Sequence, residues 1–238
     1  MLIQYTIVTI ILLSGIVWSI RARKLTPVGA FTGGIIGLLL FMGAGFAGLA
    51  MMTLFFLLGT AATSWKKGVK ELRGIAEESK KGRMAGQVIA NAGIPALLAG
   101  SVLLFPFWAH QCRLMIAAGF ASAAADTVSS ELGNVYGTQY FNILTGKKDE
   151  RGLNGVVSAE GTLFGIAASA AIAIVYATGF GWNQHFFIVV LAGTLGNLLD
   201  SVLGATLERR QVLNNDLVNF FNTLAAALAA LALYYALG

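Results

Sequence analysis

Charged residues, cysteine and proline are all scarce in this sequence. Charged side chains make up 11% of the 238 residues, against roughly 25% in soluble domains, which excludes an ordinary cytosolic enzyme. The single cysteine, Cys112, excludes a disulfide scaffold, and the 57% of hydrophobic residues excludes intrinsic disorder. Glycine is abundant, with 29 residues against three prolines, but without the Gly-X-Y period of collagen. The composition is typical of closely packed membrane helices.

Long apolar runs make up most of the sequence. A membrane-spanning helix needs about 20 mostly apolar residues, and runs of this kind predict an all-α polytopic membrane protein with about eight transmembrane helices in one domain. The predicted spans cover residues 2–20, 26–42, 46–63, 85–104, 113–130, 156–178, 186–207 and 217–237. The second and third come from one stretch that is too long for a single crossing, so we divide it at its glycine-rich centre near Gly43 and Gly45.

Basic residues fall almost entirely on one predicted side of the membrane. If the chain crosses at every span, the loops after spans one, three, five and seven contain fifteen of the sixteen Lys and Arg residues, and only Arg113 lies opposite. The positive-inside rule makes this side cytoplasmic and places both termini outside. We therefore expect a multi-pass protein of the cell inner membrane, although the net charge of +5 is also compatible with an anionic substrate.

Acidic residues share this sidedness, which the positive-inside rule does not require. Six of them lie inside or at the inner ends of the last four spans: Asp126, Glu131, Glu160, Asp200, Glu208 and Asp216. An ionisable group in a membrane is costly and usually belongs to a site or a partner, so we expect Asp126 and Asp200 to be functional. A helix dipole also explains Glu160, and an interfacial ion pair with the neighbouring Arg209 and Arg210 explains Glu208.

Polar residues recur in helical register in spans five, seven and eight. Asp126 shares a helix face with Ser129 and Ser130, whereas the i+5 position of Glu131 directs that residue elsewhere unless the helix ends nearby. In span seven, Asn197 and Asp200 begin a polar stripe. Span eight starts with a polar cluster, and the N-terminus of a helix is a ready anion site. The further predicted residues in these two spans are Ser201, Asn214, Asn215, Asp216 and Asn219.

Asp126 and Asp200 occupy equivalent places in the short repeats Asp-Thr-Val and Asp-Ser-Val, which indicates a weak internal repeat. Two aspartates on parallel helices, with hydroxyls and amides beside them, form the oxygen environment that Mg²⁺ prefers. Basic residues able to meet phosphate oxygens are expected at the same membrane face: Arg83, Lys147, Lys148 and Arg151. The combination predicts nucleotide or phosphoryl chemistry on a lipid. Helix packing by hydrogen-bonded aspartates is the structural alternative.

Four motifs, in this order, resemble a family of integral membrane proteins that includes the plant chloroplast phytyl-phosphate kinase. They are Ala-Asp-Thr-x-x-Ser-Glu-Leu-Gly at 125–133, Ser-x-Glu-Gly-Thr at 158–162, Leu-Asp-Ser-x-Leu-Gly-Ala-Thr at 199–206 and Asn-Asn-Asp-x-Val-Asn at 214–219. The resemblance extends from about Gly29 to the end of the chain, and the sequence is also distantly similar to the dolichol kinase and CDP-lipid synthase group. No P-loop motif and no protein-kinase signature occurs in the chain.

The resemblance implies an enzyme that uses a nucleoside triphosphate, CTP, to convert an isoprenoid monophosphate to its diphosphate with the help of Mg²⁺. The implied catalytic residues are Asp126, Asp200 and Glu131. The expected metal ligands are Asp126, Asp200, Asp216 and Glu160. The expected nucleotide and phosphate contacts are Ser129, Ser130, Arg83, Lys147, Lys148, Arg151, Asn197, Ser201, Asn214, Asn215 and Asn219.

The expected partners are the nucleotide and a membrane lipid, namely the isoprenoid phosphate, and no nucleic acid is expected. The sequence leaves homo-oligomer formation open. A cytidylyltransferase that forms a CDP-lipid and an ion-coupled transporter are the alternative functions.

Overall fold

The computed structural model describes residues 2–75 and 82–237, and within these ranges the chain is almost entirely helical. The predicted all-α class is confirmed. The helices are α1 (Leu2–Arg21), α2 (Pro27–Ser64), α3 (Lys67–Leu72), α4 (Ala85–Leu104), α5 (Ala109–Tyr136), α6 (Ala159–Phe180), α7 (His185–Leu203) and α8 (Asn215–Leu237). A 3₁₀ turn (Pro106–Trp108) precedes α5, and a π-helical turn (Gly204–Glu208) extends α7. Two short antiparallel strands, β1 (Phe141–Asn142) and β2 (Val156–Val157), pair within the loop between α5 and α6.

Six helices in the described part of the chain are long and apolar enough to cross a membrane: α1, α2, α4, α6, α7 with its π-helical turn, and α8. Helix α5 is not among these six. The basic residues Lys80 and Lys81, which the sequence analysis assigned to the second cytoplasmic loop, lie outside the described residues.

Helix α2 is bent back on itself at Gly45. Its 38 residues would extend about 57 Å if straight, but Gly45 has a φ of 64° and a ψ of −157°, a conformation that glycine adopts without steric cost. A Cβ atom on Gly37 would lie 3.0 Å from Cε of Met52, although fifteen residues of straight helix span about 22 Å. Residues 27–44 and 46–64 therefore form two antiparallel half-helices, and the break falls where the sequence analysis divides this apolar stretch.

Helix α5 is the central element of the bundle. It packs against α2, α4, α6, α7 and α8, and its residues from Ile116 to Ala125 are buried. Many of these residues are alanine or glycine, so neighbouring helices approach its backbone closely. At its crossing with α6, a Cβ atom on Gly133 would lie 3.0 Å from Cα of Gly161. The polar residues of α5 thus lie among protein elements on several sides.

The loops that contain most of the described basic residues meet at one end of the bundle, which we call the basic end. There, Leu25 and Arg83 form a β-bridge that joins the α1–α2 loop to the segment before α4. Nε1 of Trp65, after α2, donates to the hydroxyl of Tyr136 at the end of α5 over 2.8 Å. Arg209, after α7, forms an ion pair with a residue of the α5–α6 loop. The side of the membrane that the basic end faces stays a prediction.

Candidate functional site

Asp126 of α5 and Asp200 of α7 are in direct contact. Their carboxyl groups lie within hydrogen-bonding reach of each other, and both side chains are half-buried. Two carboxylates at this separation repel each other unless a proton or a cation lies between them. We refer to these two residues as the aspartate pair.

Helix α8 supports the aspartate pair through a buried asparagine. Nδ2 of Asn222 donates to Oδ2 of Asp200 over 2.8 Å, and Oγ of Ser122 donates to Oδ1 of Asn222 over 2.9 Å. Asn222 is fully buried, so this network fixes α8 against α5 and α7 at the level of the pair. Asn219, one turn earlier, is also buried, and its Oδ1 atom has no hydrogen-bond partner among the described residues.

Hydroxyl and amide groups surround the pair on its other side. Oγ of Ser129 lies 3.0 Å from the carbonyl oxygen of Asp126 and 3.3 Å from Oδ1 of Asn197. Oγ of Ser201 donates to the carbonyl oxygen of Asn197 over 3.3 Å. The predicted face of Asp126 with Ser129 therefore meets the predicted stripe that begins with Asn197 and Asp200, and Ser201 lies beside it.

A polar cavity of about 180 Å³ opens beside the aspartate pair. Its walls come from α5, the start of α6, the end of α7 and the α5–α6 loop. The predicted residues that line it are Asp126, Ser129, Ser130, Asn197, Asp200, Ser201 and Asn215. Ligand pockets for drug-sized molecules have volumes of roughly 300–1,000 Å³, so this cavity is sized for part of a ligand, such as its phosphate groups.

The π-helical turn at the end of α7 shapes the floor of the cavity. Gly155, with a φ of 74°, packs its backbone directly against Ala205, and π-helical turns are frequent at functional sites. Glu208, the last residue of the turn, lines the cavity. Of the two arginines expected to pair with Glu208, Arg209 extends instead to Asp149, with Nη2 and Oδ2 separated by 2.8 Å.

Arg83 lies close enough to the aspartate pair for its charge to act on Asp126, although it is not among the residues that line the polar cavity. Its Nη2 atom lies 3.3 Å from Oγ1 of Thr63. A Cβ atom on Gly59 would lie 3.2 Å from Nη1 of Arg83, so the absence of a side chain on α2 makes room for the guanidinium. Arg83 is thus the predicted basic residue that the structure brings to the pair.

The other predicted basic residues lie farther from the aspartate pair. Lys147 and Lys148 are exposed in the loop between β1 and β2. Arg151 stacks over the ring of Tyr140, with Cζ 4.6 Å from the ring centroid, and Nη2 donates to the carbonyl oxygen of Gly137 over 3.2 Å. Because Tyr140 lines the cavity, Arg151 supports the cavity wall from behind.

Three predicted acidic residues have other partners or positions. Oε1 of Glu160 accepts from the hydroxyl and the backbone N–H of Thr138, and Asp216 faces α4, where a Cβ atom on Gly86 would lie 2.9 Å from Oδ2 of the aspartate. Glu131 forms a buried ion pair with Lys70 of α3. The described residues contain no group of three or more Asp, Glu, His or Cys side chains placed to hold a metal. Of the four expected metal ligands, the structure thus brings Asp126 and Asp200 together, whereas Glu160 and Asp216 contact other residues.

Of the two asparagines at the start of α8, one caps the helix and the other lines the cavity. Oδ1 of Asn214 accepts from the backbone N–H of Leu217 over 2.9 Å, so Asn214 caps the helix as expected of this residue type. Asn215 lines the cavity. The supporting role of Asn222 was not predicted from the sequence, although its i+3 spacing from Asn219 places both on one face. Tyr140 and the segment from Gly152 to Gly155 were not predicted to line the site either.

The α5–α6 loop is held over the cavity by Arg209. Nε of Arg209 donates to the carbonyl oxygen of Asn154 over 2.6 Å, and its hydrogen bond to Asp149, with smaller contributions from neighbouring donors, holds the pKa of Asp149 below its ordinary value of 3.8. A lowered folded-state pKa means that the contact stabilises the loop above about pH 4 and is lost as the pH falls further.

We expect Arg209→Gln to loosen this loop without unfolding the helical bundle. Limited proteolysis at neutral pH should cut the variant within residues 137–158 several times faster than the wild type, and acidification of the wild type below the pKa of Asp149 should increase hydrogen exchange in the same segment. Arg210→Gln is the matched control. Equal cleavage of both variants would show that the Arg209 contacts do not hold the loop.

Comparisons with known proteins agree with this architecture. The chain matches the model of the family described as integral membrane protein DUF92 over residues 9–227. It is 33% identical over 214 residues to an uncharacterized membrane protein of Synechocystis, and the aligned region covers 89% of this chain and 83% of that protein. It is 31% identical over 205 residues to Protein VTE6, chloroplastic, of Arabidopsis thaliana, and the aligned region covers 83% of this chain and 61% of that protein.

A third relative is an uncharacterized membrane protein of Methanocaldococcus jannaschii, 29% identical over 214 residues, with 90% of this chain and 87% of that protein covered. No solved structure matches the chain. The family model covers the central helix α5, the aspartate pair and the start of α8. The chain therefore belongs to the DUF92 family of integral membrane proteins.

Proposed function

We propose that this protein is a Mg²⁺-assisted kinase that transfers the terminal phosphoryl group of CTP to an isoprenoid monophosphate such as phytyl phosphate. The observation that supports this function best is the aspartate pair, which opens into a polar cavity of about 180 Å³ and has Arg83 beside it. The resemblance to the family of the plant chloroplast phytyl-phosphate kinase, together with the similarity to VTE6, supports the choice of acceptor.

The residues at the pair have the donor chemistry that Mg²⁺ requires. Asp126 and Asp200 offer carboxylate oxygens, and Ser129 and Asn197 offer hydroxyl and amide oxygens nearby. Mg²⁺ typically takes one or two carboxylates and completes its shell with water and substrate phosphates, so two aspartates suffice. The ion, when bound, neutralises charge on the phosphate oxygens.

The reaction needs little covalent help from the protein. An oxygen of the acceptor monophosphate attacks the γ-phosphorus of CTP, the bond from that phosphorus to the β–γ bridging oxygen breaks, and CDP leaves with the electron pair. Because the acceptor is already an anion, no general base is required, and the protein contributes positioning and charge compensation. In our proposal, Arg83 binds the acceptor phosphate, and Ser129, Ser201 and the backbone of Gly152–Gly155 face the triphosphate.

This proposal predicts a defined set of products. Purified protein in liposomes, supplied with phytyl monophosphate, Mg²⁺ and CTP, UTP, ATP or GTP in separate reactions, should produce phytyl diphosphate and the nucleoside diphosphate, with CTP the best donor. Chelation of Mg²⁺ should stop the reaction. Release of pyrophosphate with a CDP-lipid would instead identify a cytidylyltransferase, and ion flux without nucleotide turnover would identify a transporter.

A further inference from the structure

We infer that the apolar groove between α1, α2 and α4 holds the hydrocarbon tail of the acceptor while Arg83 holds its phosphate, an inference that rests on the proposed kinase function. The groove is a second cavity, of about 290 Å³, separate from the polar cavity. Its lining is almost wholly apolar and includes Ile16, Gly33, Leu49, Met52, Phe56 and Ala92. Among its described lining residues, Arg83 is the only charged one.

The groove runs from the basic end into the bundle. On α1 its lining extends from Ser19 to Ile11, a distance of about 12 Å along the helix. At the basic end, Trp18 and Phe56 meet edge to face, with ring centroids 6.1 Å apart. A ligand lying in this groove therefore has its apolar part among aliphatic and aromatic side chains and its head at the level of Arg83.

Arg83 joins the groove to the aspartate pair. It lines the groove, and its charge acts on Asp126. Its backbone is fixed by hydrogen bonds to the α1–α2 loop: its N–H donates to the carbonyl oxygen of Lys24 over 2.9 Å, and its carbonyl oxygen accepts from Thr26 over 3.0 Å. A phosphate bound by Arg83 would thus lie beside the site of phosphoryl transfer while its tail occupies the groove.

The charge pattern favours one kind of occupant. A cation at one end of an otherwise apolar groove complements an amphiphile with an anionic head and a hydrocarbon chain. The volume of about 290 Å³ lies just below the range for drug-sized ligands, so the groove has room for part of one hydrocarbon chain and not for the two acyl chains of a phospholipid. We therefore assign the groove to a single-chain monophosphate, which is the form of the proposed acceptor.

Two glycines of the groove have free space where a side chain would begin. A Cβ atom on Gly15 or Gly33 would meet no atom within 4 Å, and both residues line the groove. Gly100 of α4 has the same free space but is not a groove residue, so Gly100→Leu is a matched control. All three lie within helices, where leucine has a better helix propensity than glycine.

We expect Gly33→Leu to raise the KM for phytyl monophosphate by roughly tenfold or more, because a leucine displaces several methylene groups of the tail from the groove. The KM for a five-carbon monophosphate, such as dimethylallyl monophosphate, should change less than about twofold. Gly100→Leu should change neither value. An equal change for both acceptors, or no change for either, would overturn the assignment of the tail to this groove.

A binding measurement separates this inference from the kinase proposal. A long-chain alkyl monophosphate brominated in its chain should quench the fluorescence of Trp18, and unlabelled phytyl monophosphate should reverse the quenching. The quenching by the brominated ligand should be absent in Trp18→Phe and should persist in Trp182→Phe. If quenching occurs but no nucleotide supports transfer, the groove assignment stands and the kinase proposal fails. If transfer occurs without quenching, or if brominated phosphatidylcholine quenches equally and phytyl monophosphate does not displace it, the groove assignment fails.

Discussion

Replacement of Asp200 by asparagine is expected to abolish phosphoryl transfer without destabilising the protein. Loss of groups that merely orient a metal ligand costs 10- to 100-fold in metal affinity or activity, so loss of a ligand itself should cost at least about 100-fold. The same change removes one of two carboxylates in contact and therefore relieves their repulsion. Asparagine also preserves a side-chain oxygen that can accept from Nδ2 of Asn222.

A loss of phosphoryl transfer without a loss of stability distinguishes a functional aspartate pair from one that only packs the helices. Asp126→Asn should behave in the same way, whereas Glu71→Gln, which alters an exposed residue paired with Lys67 at 3.7 Å, should leave transfer unchanged. The measurements are initial rates in liposomes and thermal unfolding in detergent. Wild-type activity in either aspartate variant would contradict the proposed role of the pair, and a marked loss of stability with lost activity would indicate helix packing instead.

Replacement of Lys70 by methionine should produce the largest loss of stability among the variants considered. Lys70 is 1% exposed and Glu131 is 9% exposed, and they form an ion pair between α3 and α5. Nζ of Lys70 also donates to the carbonyl oxygens of Ala62 and Thr63, over 3.0 and 2.8 Å, at the end of α2. Removing one partner of a buried pair costs about 3–5 kcal/mol because the other charge is left without compensation.

A second substitution should recover most of that stability. In the double variant Lys70→Met, Glu131→Leu no uncompensated charge remains, and apolar replacements of buried pairs are often neutral or stabilising. Lys67→Met, which breaks only an exposed pair, should change stability by less than about 1 kcal/mol. Unfolding by denaturant in mixed micelles measures the free energy of unfolding of Lys70→Met, of the double variant and of Lys67→Met.

These variants also test the sequence-derived role of Glu131. If Glu131 is structural, as its pairing with Lys70 indicates, the double variant should retain phosphoryl transfer. Loss of transfer in a stably folded double variant would instead support the catalytic role that the family resemblance implies.

The sequence predicted the main architectural features because they depend on local patterns. Apolar runs predicted the helices, and the glycine-rich centre predicted the break in α2, because only glycine adopts the φ of Gly45 at no cost. Helical register predicted that Asp126 and Ser129 share a face. The equivalent positions of Asp126 and Asp200 on two helices led to the prediction that they act together; the structure places them side by side, and their joint role stays a prediction.

Other features depend on which helices are neighbours, and a single sequence does not determine that. Glu131 follows Asp126 by five residues, so its different face was predictable, but its partner Lys70 lies 61 positions away in a run of similar basic residues. Glu160 and Asp216 begin helices at the same end of the bundle as the aspartate pair, and only the loop conformation and the packing of α4 against α8 direct them elsewhere. The groove has no local sequence signal, because it forms between three separate helices.

The most direct test of the proposed function is the fate of the phosphorus atoms of CTP. The protein in liposomes is incubated with Mg²⁺, phytyl monophosphate and CTP labelled with ³²P at either the γ or the α position. We predict that the γ-label appears in phytyl diphosphate, that the α-label stays in CDP, and that Asp200→Asn transfers neither. Appearance of the α-label in the lipid with release of pyrophosphate, or no transfer from either position or from any other nucleoside triphosphate, would contradict the proposal.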